Sequence, residues 1–268
     1  MPNGQTIYKS QLSNLKSQLL KKHIPNAITC CNLISGCIAI AFAVHGAYQQ
    51  ALWAIIAGAV FDFFDGMTAR LLHVSSPIGK ELDSLADVVT FGVAPAAMLF
   101  NKLVIASAAV LVDLPESSMG HVVAKLLAYT PFLAFLMAAF SALRLAKFNL
   151  DERQTMGFIG LPTPANALFW GSLIVGWGHQ LNAIPSLQPL LLVLMLLSCY
   201  LLVSEIPMFA LKFKTWGWKG NELKWLFVAS CVPLIIFFGL GGLAIIIAWY
   251  ITLSVVTAKR NTNTTTEP

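Results

Sequence analysis

The chain has 268 residues, of which 57% are hydrophobic and only 11% are charged. Soluble domains carry about 25% charged residues, whereas the mean hydropathy of this chain is +0.73. The composition excludes a soluble globular domain and predicts an integral membrane protein. We therefore expect the lipid bilayer to surround the chain, and we expect no nucleic-acid partner despite the net charge of +5.

The N-terminal segment, residues 1–23, is polar and basic, and it lacks the apolar stretch and cleavage site of a signal peptide. Within it, much of the apolar content can share one helical face while the lysines occupy the other. The apolar residues are Ile7, Leu12, Leu15, Leu19 and Leu20. This pattern predicts an amphipathic helix that lies along the cytoplasmic membrane surface. The alternative is a frayed basic tail.

Apolar runs follow along the rest of the chain. A helix needs about 20 apolar residues to cross the hydrocarbon core, and helices satisfy their own backbone hydrogen bonds there. The runs predict an all-α polytopic membrane helix bundle with about eight transmembrane helices. The predicted spans are residues 26–46, 50–71, 84–110, 123–147, 164–181, 187–210, 223–238 and 241–258.

Basic residues indicate the orientation of these spans, because Lys and Arg accumulate in cytoplasmic loops. They precede the first predicted span and follow each even-numbered span, and only Lys102 and Lys125 fall on the other side. The distribution predicts a multi-pass protein of the cell (cytoplasmic) membrane with both termini in the cytoplasm. Residues 259–268 are polar and are predicted to form a disordered tail.

Four aspartates lie where the second predicted span ends and the third begins. Asp62 and Asp65 are three residues apart, and Asp83 and Asp87 are four apart, so each pair shares one helical face. The short connection between the spans lets the two pairs converge on the cytoplasmic side. Hard oxygen ligands in this number suit Mg²⁺ or Mn²⁺, as two ions, and their charge would compensate the carboxylates. The alternative is that these aspartates are interfacial charges at helix ends.

The residues between the two Asp pairs favour a phosphate ligand. Gly66 and Gly79 lack a Cβ and permit the close approach of a ligand or a second helix. Arg70 lies one helical turn beyond Gly66, and its planar guanidinium can bind two phosphate oxygens. Together with metal ions, these residues predict a pyrophosphate site.

The spacing of these residues matches a known signature. The fixed positions are Asp62, Asp65, Gly66, Ala69, Arg70, Gly79, Asp83 and Asp87. The chain therefore resembles the CDP-alcohol phosphotransferase family, whose members transfer a phosphatidyl-type group from a CDP-linked lipid to an alcohol and release CMP. The resemblance implies an active site on the cytoplasmic side and a homodimer.

The resemblance also implies a role for each matching residue. Asp62, Asp65 and Asp83 would bind the divalent metals, and Asp87 would be both a ligand and the general base. The residues expected around the CDP moiety are Gly66, Ala69, Arg70 and Gly79. The implied organisation is an interfacial helix over 1–23, a six-helix family core over 24–210, a cytoplasmic loop and C-terminal transmembrane hairpin over 211–258, and the tail.

Upstream, the segment IPNAITCCNLISG resembles the Pro-Asn-x2-Thr-x2-Asn pattern that lies beside the nucleotide site in this family. The resemblance implies that Asn26 and Thr29 contact the CDP moiety. Capping of the helix start and interhelical hydrogen bonds are the alternative roles for these polar side chains.

Further segments resemble the phosphatidylserine synthase branch of the family, namely SALRLAKFN, GFIGLPTPAN and LLVSEIPMFALKFK. This resemblance implies CDP-diacylglycerol and L-serine as substrates. Arg144, Lys147 and Asn149 are then expected to hold the serine carboxylate or the lipid phosphate, although Lys147 also suits a simple cytoplasmic anchor. Transfer to glycerol 3-phosphate or an inositol derivative is the enzymatic alternative. A divalent-cation transporter is the alternative from a different class.

Overall fold

A computed structural model describes residues 4–74, 76–112, 118–150, 159–182, 187–208, 217 and 221–264. Every regular element in these ranges is helical, and the one β feature among them is an isolated bridge between Ile159 and Pro207. The predicted all-α class is confirmed. Most of the cytoplasmic loop predicted at the start of 211–258 lies outside the described residues.

The described chain contains ten α-helices. Their bounds are α1 Gly4–Val44, α2 Tyr48–Leu71, α3 Pro77–Asp87, α4 Ala94–Val112, α5 Ser118–Tyr129, α6 Leu136–Leu150, α7 Thr163–Asn182, α8 Leu187–Val203, α9 Glu222–Phe238 and α10 Gly242–Thr264. A π-helical segment, Val88–Val93, joins α3 to α4, and a 3-10 segment, Thr130–Phe135, joins α5 to α6.

Five stretches of the described chain are long and apolar enough to cross a membrane. They are His23–Val44, Tyr48–Leu71, Pro77–Ala108, Lys125–Leu150 and Glu222–Thr257, and Gln188–Val203 is a shorter apolar helix. Large apolar side chains such as Phe237 and Ile236 point outward, as a lipid-facing surface requires. The multi-pass membrane character is confirmed, whereas the count of eight spans is not.

The N-terminal segment is helical but is not a separate element. Helix α1 continues without a break from Gly4 through Pro25 to Val44, so the interfacial helix predicted over 1–23 is not confirmed. Proline removes one backbone hydrogen bond from a helix, yet the chain here continues through it. At the other terminus α10 reaches Thr264, beyond the predicted start of the tail at residue 259.

Two glycines let α1, α2 and the π-helical segment meet. A Cβ at Gly36 would lie 2.4 Å from Thr90 Oγ1, and a Cβ at Gly58 would lie 2.5 Å from Thr90 Cγ2. Thr90 is fully buried and donates a hydrogen bond to the Asn32 carbonyl at 3.0 Å. This junction fixes the backbone directly after Asp87.

The remaining helices pack around this centre. The core includes Phe91, Met98, Met137 and Trp170, all fully buried. Helix α6 packs on the π-helical segment, where a Cβ at Gly92 would lie 3.1 Å from Ser141 Cβ.

Helix α9 folds back along α10, and the rings of Phe227 and Tyr250 meet between the two helices with their centroids 6.1 Å apart. The hairpin is held against α7, where a Cβ at Gly176 would lie 2.1 Å from Gly241 Cα.

The glycine junction predicts a steric penalty for Gly58→Ala. The new methyl group would overlap Thr90 Cγ2 at 2.5 Å and press on Asn32 Oδ1 at 2.9 Å. We expect a loss of about 1–3 kcal/mol in stability, as for other overpacked cores. The measurement is thermal unfolding of the purified protein in detergent. Adding Thr90→Ser removes the overlapping methyl group and should restore part of the loss, and wild-type stability in the single variant would contradict the packing described.

Candidate active site

Three carboxylates converge between the second half of α2 and the second half of α3. One oxygen from each of Asp62, Asp83 and Asp87 lies within 4.8 Å of the others. Asp62 lies just past the middle of α2, and Asp83 and Asp87 lie one turn apart on α3. Like charges at such distances repel strongly unless a cation neutralises them.

Asp65, the fourth aspartate of the sequence pattern, lies outside this group of three and lines an adjacent cavity. Its side chain is 5% exposed, and its Oδ2 is buried without a hydrogen-bond partner, as is Asp83 Oδ1. Buried polar atoms nearly always have partners in folded proteins. Orphaned carboxylate oxygens next to a carboxylate cluster fit the oxygen-ligand preference of Mg²⁺ or Mn²⁺.

The cavity beside the carboxylates has a volume of about 250 Å³ and is formed by α1, α2 and α3. Five residues expected around a CDP moiety line it, namely Asn26, Thr29, Gly66, Ala69 and Gly79. The other lining residues are Pro25, Asp65, Val74, Ser76, Lys80 and Asp83. The structure therefore brings the first-helix pattern and the Asp signature to one cavity.

The two glycines of the cavity serve different purposes. A Cβ at Gly79 would lie 2.9 Å from Ser76 Oγ and 3.0 Å from Asn26 Oδ1. Ser76 caps α3 by accepting a hydrogen bond from the Gly79 amide at 2.9 Å, so bulk here would disturb the helix start. A Cβ at Gly66 would meet no protein atom within 4 Å, so this glycine leaves space for a ligand.

Arg70 is not among the residues that line the cavity. Its side chain is exposed and its Nε donates to the Gly66 carbonyl at 3.0 Å, so it lies back along α2. Lys80 does line the cavity, and its Nζ donates to the Asn149 carbonyl at 2.9 Å. Sequence reasoning assigned Lys80 no ligand role, and its position directly after Gly79 was the available signal.

Asn32 is a second residue that sequence reasoning left without a role. It is fully buried, and its Nδ2 donates to Asp87 Oδ1 at 3.0 Å. The signal was its place at the end of the first-helix pattern, but its partner lies 55 residues away. A π-helical segment, a type of distortion that is frequent at functional sites, begins directly after Asp87.

The three residues expected at the acceptor site on α6 have different environments. Arg144 is 7% exposed, its Nε is buried without a partner, and its guanidinium interacts electrostatically with Asp87. Its Cζ also lies 5.7 Å from the centre of the Phe148 ring. Lys147 is exposed, and Asn149 donates to Ser84 Oγ at 2.8 Å. Of the three, Arg144 is the residue that the structure brings toward the carboxylates.

The carboxylate cluster predicts direct binding of a divalent cation. We expect the purified protein to bind Mn²⁺, and we expect Asp83→Asn to weaken that binding by roughly tenfold or more, because one anionic ligand is lost. Electron paramagnetic resonance of free Mn²⁺ measures the affinity. Glu81→Gln is the matched control, since it removes the same charge from an exposed position on the same helix. Equal losses in both variants would argue against a specific site.

Comparison with known proteins gives a match over most of the chain. The model of the CDP-alcohol phosphatidyltransferase family matches residues 22–216. Proteins named CDP-diacylglycerol–serine O-phosphatidyltransferase are similar to the chain. The one from Bacillus subtilis is 36% identical over 147 residues, which are 53% of this chain and 70% of that protein. The one from Methanocaldococcus jannaschii is 33% identical over 177 residues, or 65% of this chain and 71% of that protein.

A relative of the same name from Helicobacter pylori is 33% identical over 146 residues. That match spans about half of each protein, 54% of this chain and 54% of the relative. The family match runs from the start of the first candidate span to beyond α8, and it includes all four aspartates and the cavity. The chain belongs to the CDP-alcohol phosphatidyltransferase family.

Proposed function

We propose that the protein transfers the phosphatidyl group of CDP-diacylglycerol to the hydroxyl of L-serine, giving phosphatidylserine and CMP. The observation that carries this proposal is the convergence of Asp62, Asp83 and Asp87 beside a cavity lined by the rest of the family signature. The relatives named CDP-diacylglycerol–serine O-phosphatidyltransferase support serine as the acceptor.

The metal site would be formed by the four signature aspartates, Asp62, Asp65, Asp83 and Asp87. Two bound Mg²⁺ or Mn²⁺ ions would supply electrostatic stabilisation of the charge that develops on the pyrophosphate. The orphaned oxygens of Asp65 and Asp83 support this assignment, because a ligand would provide the partners that the protein does not.

The nucleotide would occupy the cavity between α1, α2 and α3. Asn26 and Thr29 offer an amide and a hydroxyl for polar contacts, while Gly66 and Ala69 add little bulk beside the phosphates. Arg70 would have to swing from the Gly66 carbonyl to reach a phosphate oxygen. The acyl chains of CDP-diacylglycerol would remain in the bilayer.

Asp87 would act as the general base. Its Oδ1 accepts the hydrogen bond from Asn32, which leaves Oδ2 to take the proton of the serine hydroxyl. The serine oxygen then attacks the lipid-side phosphorus, the bond from that phosphorus to the bridging oxygen breaks, and CMP leaves. A direct in-line displacement accounts for all of these steps.

Arg144 would bind the serine carboxylate, since its guanidinium is buried within electrostatic range of Asp87 and its Nε has no partner. Lys147 is too exposed to contribute as directly, and Asn149 already bonds Ser84. We place the site on the cytoplasmic face because the basic residues flank that end of the spans. The family resemblance supports a homodimer.

The proposal is tested by CMP release from CDP-diacylglycerol with purified protein and Mg²⁺ or Mn²⁺. We expect release to require L-serine and to fall to background when chelator removes the metal. Glycerol 3-phosphate and an inositol phosphate serve as competing acceptors. Release that either of them supports, with none from serine, would reject the serine assignment while leaving the family chemistry intact.

The base assignment predicts a large loss of turnover in Asp87→Asn. General acid–base catalysis contributes about 10²–10⁴-fold, and the loss of a metal ligand would add to this effect. Turnover is measured at saturating substrates, with Glu81→Gln as the charge-matched control on the same helix. Full activity of Asp87→Asn would remove Asp87 from the mechanism.

The hydrogen bond from Asn32 to Asp87 predicts a smaller effect on turnover. In Asn32→Leu the amide that orients Asp87 is lost, so we expect kcat to fall by roughly tenfold or more while KM for CDP-diacylglycerol changes little. Steady-state kinetics of the folded variant separate the two quantities. An increase in KM with an unchanged kcat would instead indicate a substrate contact.

A further inference from the structure

Buried polar side-chain atoms without partners fall into two groups in the described chain. Three of them, Asn32 Oδ1, Asp65 Oδ2 and Asp83 Oδ1, belong to the carboxylate site. The other group lies on α6 and the first turn of α7, and consists of Ser141 Oγ, Arg144 Nε, Thr163 Oγ1, and both Oδ1 and Nδ2 of Asn166. Leaving such atoms unpaired is costly, so the second group requires an explanation as much as the first.

Asn166 is the clearest member of the second group. Its side chain is fully buried, and neither its donor nor its acceptor has a partner. Thr163, one turn earlier, is also fully buried with an unpaired hydroxyl. On the same helix the buried Ser172 shows the ordinary arrangement, because its hydroxyl donates to the Phe169 carbonyl at 3.2 Å and also bonds the Leu168 carbonyl.

The α6 members of this group lie beside the helical segment that follows the proposed base. Ser141 packs against Gly92, where a Cβ would lie 3.1 Å from Ser141 Cβ. Gly92 belongs to the π-helical segment that follows Asp87 directly. Arg144, one turn beyond Ser141, interacts electrostatically with Asp87.

Of the α7 members, Thr163 lies close to the depth of Asp62, and Asn166 lies about one helical turn deeper in the bundle. Helix α7 runs antiparallel to α2, since its end at Gly178 and the start of α2 at Tyr48 line one cavity. A Cβ at Gly171 would lie 2.8 Å from Leu52 Cδ1. Thr163 lies eight residues before Gly171 on α7, and residue 60 lies eight residues after Leu52 on α2. Eight residues span about 12 Å along each helix, and both steps lead in the same direction because the helices are antiparallel. Thr163 is therefore level with the turn of α2 that carries Asp62.

We propose that Ser141, Arg144, Thr163 and Asn166 form the acceptor subsite, and that Asn166 and Thr163 bind the ammonium group of an α-amino acid whose carboxylate binds Arg144. This inference rests on the proposed function and specifies how its acceptor is selected. A zwitterion needs one cation for its carboxylate and neutral oxygen acceptors for its ammonium group. Asn166 Oδ1 and Thr163 Oγ1 provide those acceptors, and Asn166 Nδ2 adds a donor for the carboxylate.

A phosphorylated alcohol fits the same group of residues poorly. Its dianionic phosphate would require more positive charge, and the group contains a single cation, Arg144. Its lack of an ammonium group would also leave the buried Asn166 oxygen unpaired. A site that hydrogen-bonds a polar group of its ligand strongly rejects ligands without that group, because the buried protein atom is then left without a hydrogen-bond partner.

The test compares Thr163→Val and Asn166→Leu with the control Ser172→Ala, which removes a buried but internally bonded hydroxyl from the same helix. We expect each of the first two to raise the KM for serine by about tenfold or more, with the KM for CDP-diacylglycerol unchanged. Thr163→Val should not lower the melting temperature, because the lost hydroxyl has no partner within the protein. Ser172→Ala should leave both KM values unchanged.

An analogue identifies the group that is recognised. 3-Hydroxypropanoate retains the hydroxyl and carboxylate of serine but has no ammonium group. We expect the wild type to prefer serine strongly, and we expect Asn166→Leu to reduce this preference by about tenfold or more. A purely structural role of Asn166 would lower turnover of both acceptors equally and leave the preference unchanged, which would overturn the inference.

The outcomes separate this inference from the proposed function. A wild-type enzyme whose CMP release does not depend on serine overturns both. Serine-dependent release in the wild type, with a serine KM in the folded variants within about twofold of Ser172→Ala, overturns only the inference. Should Asn166→Leu fail to fold, Asn166→Asp is measured instead. It retains the shape of the side chain and an acceptor for the ammonium group, but its charge repels the carboxylate of serine. An unchanged serine KM in that variant also overturns the inference.

Discussion

Electrostatic repulsion among Asp62, Asp83 and Asp87 is the constraint on which the rest of the structure depends. Their oxygens lie within 4.8 Å of one another in a chain that is mostly apolar, where charges are weakly screened. A flexible scaffold would relax by moving the helices apart. Here the backbone after Asp87 is held by close contacts of Thr90 with Gly36 and Gly58. The cluster is thus kept together by packing, and its charge remains available to bind cations.

Asp87 links the two halves of the proposed site. It accepts a hydrogen bond from Asn32 on α1, the helix that also supplies one wall of the nucleotide cavity. It also interacts with Arg144 on α6, next to the second group of unpaired polar atoms. In the proposed function, a base in this position would meet the acceptor hydroxyl where the pyrophosphate binds.

The sequence predicted features that depend on local periodicity, and it missed those that depend on tertiary packing. The spacing of the aspartates predicted their shared faces, and small residues between them predicted the cavity wall. The hydrogen bond between Asn32 and Asp87 could not be predicted from spacing, because the two residues are 55 positions apart and lie on different helices. The position of the Arg70 guanidinium likewise depends on its rotamer, which the sequence pattern does not specify. The helix boundary expected near residue 23 is not observed, since α1 continues through Pro25.

The contact between Gly176 and Gly241 has a consequence for how this family can diversify. It brings two backbones together so closely that neither helix can slide past the other without a clash. Gly176 is on α7, the helix that begins with Thr163, whereas Gly241 lies beyond residues 22–216 that match the family. The C-terminal hairpin therefore limits axial movement of a helix that lies within the family match. Changes in an appended element can alter the position of α7 while every residue of the Asp signature stays the same.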